Sequence, residues 1–496
     1  MRENELPQSK PDGFASSLGE GASGVPANLA LTPETANPSG ETVVQKRPQA
    51  FLNHKYKNIF PLNMARAQAE VIPNRPAPAL QSFSRNDTIR PNRNAPLPGF
   101  PVREKEANHM SMNTVPERLA ALRAAMAANG VAVYLIPVGD PHASEYLPCH
   151  YTSLTWFSGF HGENSNFVVT RTESALWADG RYFVQAEKEI AGTEIKLQRI
   201  GEPGVPTVEE YCANALNEGE ALGLCGLTAS TALVNDLKKA LEKKGASIKT
   251  LNLEDELWTE GRPALPDTPA WILPKEYAGF SPAEKLDQLR SKLKELGCTA
   301  QFVGKLDNLA WLLNLRAMDI ECTPYAMAYC YVTPSRAVLF INTARVTPEA
   351  KAELEANGIT LAEYDDVLKF LAAETEPQTV LAECSTVNYA VYQVLEQNPA
   401  LTVKDGTDPL LMMKGVKNET ELAHTKQAHI RDAVAMVRFQ IELESRLAAG
   451  ETLTELTVDE ILHKYRSADD KFLVESFGTI AAYGGNAAMM HYHATP

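Results

Sequence analysis

Apolar positions along this chain are sparse and aperiodic at first, then settle into repeating helical and strand patterns. Residues 1 to about 110 are rich in Pro, Asn, Ser and Ala, with stretches such as NRPAPAL and RPNRNAPLPGFP. A segment so poor in apolar periodicity cannot bury enough surface to offset chain entropy, so residues 1–112 read as a disordered Pro-rich extension. Gly19, Gly21 and Gly24 match G-x-G-x-x-G, but no strand pattern precedes them and no helix pattern follows, so the match is chance. Met110 and Met112 stand just before the first periodic segment and offer alternative starting points, the upstream residues being a tail or an over-extended reading frame.

Order begins at Thr114. Thr114 and Glu117 have capping-box spacing, Pro116 sits early in the helix, and Leu119, Leu122 and Met126 mark one face up to Asn129-Gly130. The run VAVYLIPV then predicts a strand. Strand signals at NFVVT, ALWA and ALGLCG alternate with helix signals from about Tyr182, from Val208 to Asn217 and from Ala232 to Lys244, which predicts an α/β unit over 113–257. The Pro-rich stretch 258–274 reads as a linker. Ser281 and Glu284 repeat the capping box, Leu286, Leu289, Leu293 and Leu296 share a face, and TAQFV follows Gly297 as a strand. A second α/β unit on the first one's plan is therefore predicted over 275–412.

A third unit, 413–496, opens at Asn418 with Glu421 in the capping-box position. Its helix is expected to run to Ala449-Gly450 with Leu422, Ile430, Val434, Val437 and Ile441 on the buried side. A second helix is expected from Thr457, paired with Glu460 and stapled by Leu456 and Ile461. Phe477 to Met490 alternates short apolar pieces around a Tyr483-Gly484-Gly485-Asn486 turn, which predicts two strands joined tightly.

Composition narrows the class. The 496 residues carry a net charge of −15 and 44% apolar residues, enough to bury a core in each of about three domains. An acidic chain argues against a nucleic-acid partner. Seven cysteines with no Cys-x-x-Cys leave one over in any pairing scheme and point to a reducing compartment. No apolar run is long enough to span a bilayer and MRENELPQSK lacks the apolar centre of a secretory signal, so no membrane association and a cytoplasmic location are expected.

His491 and His493 stand two apart, so on an extended chain both imidazoles share a face, where they can hold a metal, move a proton, or simply be solvated. Asp140, His142 and Glu145 resemble a metal cluster in isolation. His424 and His429, five apart on one helix, do not share a face and read as structural or solvated. No His-Glu-x-x-His, Gly-x-Ser-x-Gly or P-loop motif occurs.

Several motifs in order resemble a known family: GDPHASEY (139–146), SGFHGENSNFVVT (158–170), LWADGRYFVQA (176–186), DNLAWLLNLRAMDIECTPYAMAY (307–329), KGVKNETELAHTKQAHIRDAVA (414–435) and SFGTIAAYGGNAAMMHY. Over residues 113 to 496 the chain is similar to the Xaa-Pro aminopeptidases, in the creatinase and prolidase group of pita-bread metallopeptidases. The resemblance implies two tandem creatinase-like α/β domains followed by the N-terminal part of an α+β pita-bread catalytic domain. It implies release of the N-terminal residue from peptides with proline second, a homodimer, and two divalent metals, Mn²⁺ or Zn²⁺, that activate a bridging water.

It also implies roles for two residues. His491 matches the family's substrate-side histidine, a catalytic and substrate-binding group, and Arg181 matches the DGRY arginine that binds substrate; a surface arginine in a strand-to-helix turn is the plainer reading of Arg181. The resemblance makes the Asp140–Glu145 loop structural or interfacial. The family's metal ligands, two Asp, one His and two Glu, follow the segment matching His491 and have no counterpart up to Pro496. On this reading the chain has no metal site, is a truncated form of its parent, and is inactive as written. The alternative is a noncatalytic creatinase-like module for peptide binding or dimerisation; prolidase-like dipeptide specificity is a lesser option.

Overall fold

The computed structural model describes residues 114–495, and the extension expected to be disordered lies outside them. The first unit is a six-stranded sheet built from β1 (Val133–Pro137), β2 (Ser165–Thr170), β3 (Ser174–Ala178), β4 (Lys196–Arg199), β5 (Ala221–Leu224) and β6 (Ser247–Thr250), in the order β4-β3-β2-β1-β5-β6. β2 runs antiparallel to both β1 and β3, while β5 lies parallel to β1. Alternation along β1 feeds two cores. Tyr134 and Ile136 pack with Leu119, Leu122 and Met126 of the helix Val115–Ala128. Val133 and Leu135 pack with Val234 and Leu237 of the helix Thr231–Glu242 on the opposite face.

Between the sheets, β7 (Trp271–Ile272) pairs with β9 (Leu315–Arg316). The second sheet comprises β8 (Ala300–Val303), β10 (Tyr329–Val332), β11 (Ala337–Phe340), β12 (Ile359–Ala362), β13 (Gln378–Ala382) and β14 (Leu401–Asp405), ordered β12-β11-β10-β8-β13-β14. Its central strand has an antiparallel neighbour on one side and a parallel one on the other, as β1 has. The two sheets therefore share one topology. Leu286, Leu289 and Leu293 of the helix Pro282–Glu295 cover one face with Val303 and Val332, and Val391 and Leu395 cover the other with Phe302 and Phe340. Ser281 caps that helix as expected, accepting from the Glu284 amide at 3.3 Å while its own amide donates to the Glu284 carboxylate at 2.6 Å.

The connecting stretch 258–274 is held at both ends. Arg262 donates to the His150 carbonyl at 3.1 Å, and Ala270 donates to the Arg345 carbonyl at 2.8 Å. The two sheet units also meet directly: Asn388 donates to the Pro141 carbonyl at 2.8 Å, and Thr231 N to the Val387 carbonyl at 3.0 Å.

Three expectations for the third unit are corrected. The Asn418-capped helix, Glu419–Ala448, forms, but Leu422, Ile430, Val434, Val437 and Ile441 are 45 to 64% exposed. It packs against the helices Glu455–Arg466 and Lys275–Ala278, and among the described residues nothing covers the apolar stripe. The second helix starts a turn earlier than expected. Thr454, not Thr457, is its cap, and accepts from the Thr457 amide at 3.1 Å. The stretch from Phe477 to Met490 contains no strand; its regular piece is the tight 3₁₀ turn Gly484–Ala488. A strand needs a partner for its amides and carbonyls, and among the described residues no strand lies beside this one.

Candidate functional site

Arg181 lies in the turn between β3 and the helix Phe183–Glu189. That turn is closed by Asp179, whose carboxylate accepts the Arg181 amide at 2.9 Å and then grips its guanidinium, with Nη2 at 2.7 Å and Nε at 3.0 Å. The Arg181 hydrogen bonds hold the Asp179 carboxyl well below the usual carboxylate range, with Asn164 adding a donor at 2.9 Å. The guanidinium is thereby fixed in direction before any ligand arrives.

His491 comes to this turn from 310 positions along the chain, with its Nε2 3.5 Å from Nη1 of Arg181. Its Nδ1 lies 3.1 Å from the Tyr182 hydroxyl and 3.4 Å from the Glu163 carboxylate. Tyr182 in turn donates to Glu163 at 3.0 Å, and burial, reinforced by Glu163, pushes its phenol pKa up. One proton arrangement satisfies all four groups. With the Nδ1–H tautomer of His491, the Tyr182 oxygen accepts that proton and Nε2 keeps a lone pair toward Arg181. The result is a half-buried cluster of one guanidinium, two carboxylates, one phenol and one imidazole on the first sheet's β2–β3 side.

The sequence singled out Arg181 and His491, and the fold brings them together. Glu163, Tyr182 and Asp179 were quoted within the motifs but given no role. The signal for Glu163 was a lone carboxylate in the otherwise small and polar loop HGENSN. His493 is exposed. His424 lies against Tyr277 in a tilted ring contact with centroids 4.9 Å apart, and its Nε2 is 3.1 Å from the Glu276 carbonyl. His142 is fully buried between the units, Nδ1 2.8 Å from the Gly304 carbonyl and Nε2 2.8 Å from the Tyr364 hydroxyl, and burial lowers its pKa. Asp140 accepts the amides of His142 and Ser144, both at 2.9 Å, so this loop is an interdomain clasp. Cys149, Cys212, Cys225, Cys298, Cys330 and Cys384 are free thiols. Among the described residues no group of three or more His, Cys, Asp or Glu is disposed to hold a metal, and no helix is long and apolar enough to cross a membrane.

Comparison with known proteins fits this layout. Residues 118–257 match a creatinase/prolidase N-terminal domain, and residues 261–421 match a second family of the same description. Aminopeptidase P2 of Arabidopsis thaliana is 34% identical over 414 residues, covering 77% of this chain and 58% of that protein. An Xaa-Pro aminopeptidase of Caenorhabditis elegans is 32% identical over 397 residues, covering 76% of this chain and 64% of its own length. The crystal structure of an X-prolyl aminopeptidase from Caenorhabditis elegans, described as a cytosolic enzyme with a di-nuclear active site, superimposes with a TM-score of 0.72 at 31% identity, covering 76% of this chain and 64% of that one. The chain thus spans about three fifths of the length of these relatives.

Proposed function

Because residues 118–257 and 261–421 are creatinase/prolidase N-terminal domains, the chain belongs to the creatinase/prolidase group, and from that premise we propose that its protein is a metal-dependent Xaa-Pro aminopeptidase. Its substrates are peptides with proline second, from which it releases the first residue. It works in the cytoplasm as a homodimer with a pair of divalent metals, Mn²⁺ or Zn²⁺, and residues 413–496 open its pita-bread domain. The observation that carries this reading is the contact of Arg181 with His491, two residues matched to the family's substrate-side groups and separated by most of the described chain.

In this account Arg181, locked by Asp179, offers a fixed cation to an oxygen of the bound peptide. His491, oriented through Nδ1 by Tyr182 and Glu163, turns Nε2 toward the same point. A peptide oxygen entering between the two replaces their long mutual contact with two shorter ones, His491 losing its Nδ1 proton to solvent and taking one from solvent on Nε2 while the Tyr182 hydroxyl turns to donate to Nδ1. A bound metal pair would supply a hydroxide and polarise the scissile carbonyl. The described residues do not by themselves fit such a pair, and no bond-breaking step is assigned to them.

The test uses the protein purified from its natural source, with the peptides Arg-Pro-Pro and Arg-Ala-Pro. Release of arginine from the first alone is expected. H491A should lower kcat/KM by about 10²–10³ and R181A by about 10–10², with metal content unchanged. Binding of Arg-Pro-Pro by the source protein without cleavage would sink the enzyme reading and bring forward a noncatalytic peptide-binding module.

A further inference from the structure

A cavity of 240 Å³, lined by neither Arg181 nor His491, lies where the two sheet units meet. It lies outside the carboxyl ends of β1 and β5, beside the strand at which neighbour direction switches from parallel to antiparallel, the place where open α/β sheets bind ligands. One wall is aromatic, with Tyr151 from the first unit facing Tyr329 and Tyr364, stacked at 5.1 Å, from the second. Glu254, which is 3% exposed, also lines the cavity.

Glu254 is incompletely satisfied. One carboxylate oxygen, Oε2, accepts from the Tyr134 hydroxyl, while Oε1 is buried with no partner. The neighbouring cation does not supply one: Arg262 is engaged with the His150 carbonyl and with Asp255. The sister unit provides an internal control. After its last strand it also buries a carboxylate, Asp408, but both oxygens there are met, Oδ2 by Asn308 at 2.8 Å and Oδ1 by the Leu410 amide at 2.8 Å. In each unit, then, the start of the helix after the last strand buries a carboxylate; Asp408, the N-cap, is closed off by its own chain, while Glu254, two residues past the N-cap Asn252, keeps an unpartnered oxygen on a residue that lines a cavity. Buried polar atoms in native proteins find partners, and Glu254 lines a space large enough to hold one.

We propose that this cavity binds a small amine, whose ammonium donates to Oε1 of Glu254 and whose apolar body lies against the rings of Tyr151 and Tyr364. A cationic donor suits both, because a buried carboxylate is best met by a charge-assisted hydrogen bond and tyrosine faces attract cations. The proposal is independent of the peptidase reading. Burial pushes the Glu254 carboxyl up to about 7. The groups facing it are Tyr134 from β1, Cys225 after β5, Asp255 from its own helix and Arg262, while His150 and Asp365 line the same cavity. Amine binding therefore strengthens as the carboxylate forms.

Isothermal titration of the full chain with benzylamine tests this. Saturable one-to-one binding is expected at about pH 8, weaker by roughly tenfold at about pH 6, and weaker again for the neutral isostere benzyl alcohol. E254Q keeps an acceptor for Tyr134 and should lose about tenfold or more in affinity. L265W, at an exposed lining position, should occlude the cavity without disturbing the core, and carries the test with the pH profile should E254Q fail to fold. No saturable heat with the wild type, equal binding by L265W, or equal affinity for amine and alcohol would each overturn the proposal and leave a trapped water as the partner of Oε1.

Discussion

The two sheet units and the region after them read alike in sequence and differ in structure. The helix Pro282–Glu295 and the helix Glu419–Ala448 both start on a capping box and both carry leucine, isoleucine or valine at helical spacing. In the first, Leu286, Leu289 and Leu293 are sealed against β8 and β10. In the second, Val434, Val437 and Ile441 face outward. Periodicity thus states which face of a helix is apolar, and topology states whether anything arrives to cover it. The sheets resolve that second question because each central strand has neighbours on both sides and helices above and below.

The sharpest way to break the comparison is through ion pairs. Arg345 and Asp319 are fully buried in the second unit, with contacts of 2.7 and 2.5 Å and a further bond from Arg345 to the Met327 carbonyl at 2.9 Å. R345M should cost about 3–5 kcal/mol in denaturant unfolding, because Asp319 would be left buried and unpaired. K464M, which removes the exposed contact of Lys464 with Glu442 at 2.6 Å, should leave the denaturant midpoint almost unchanged, since solvent and salt screen that pair. Equal losses would contradict the burial contrast. Truncation of apolar side chains sharpens it: L289A should cost about 2–5 kcal/mol, and V437A no more than about 0.5 kcal/mol.

A smaller effect comes from pH. The folded-state pKa of Glu254 is raised, so its contribution to stability is fully present below the ordinary carboxyl range and is lost as pH rises through about 7. Between about pH 5 and 7 the wild type should therefore lose roughly 1 kcal/mol per pH unit relative to E254Q. A pH slope shared by both proteins would assign the effect elsewhere.

Much of the fold was legible in the sequence. Thr114, Ser281 and Asn418 announced three helix starts with their glutamates, and the apolar runs of β1, β2 and β8 were bounded by glycine or by turn residues. Legibility failed where a partner decided the outcome. The Tyr483–Asn486 turn looked like a hairpin, but strand pairing is a property of two segments, and the Gly484–Ala488 stretch folds on itself instead. Of the candidate site, Arg181 and His491 were visible through their motifs. Glu163 and Tyr182 were not, because what distinguishes them is that both reach His491 Nδ1, a relation that no local spacing encodes. Glu254 was invisible for the same reason, since its burial with one oxygen unpartnered emerges only when the sheet and helix around it are built.

The most direct test of the central claim, that Arg181 and His491 act as one substrate-holding centre, is a double-mutant cycle on kcat/KM for Arg-Pro-Pro, using the source protein with R181A, H491A and both together. The account predicts that the double variant is little worse than H491A alone, a coupling of about 1–3 kcal/mol, because each residue works through an oxygen held by both. Strictly additive losses, or a loss of bound metal in either single variant, would contradict it.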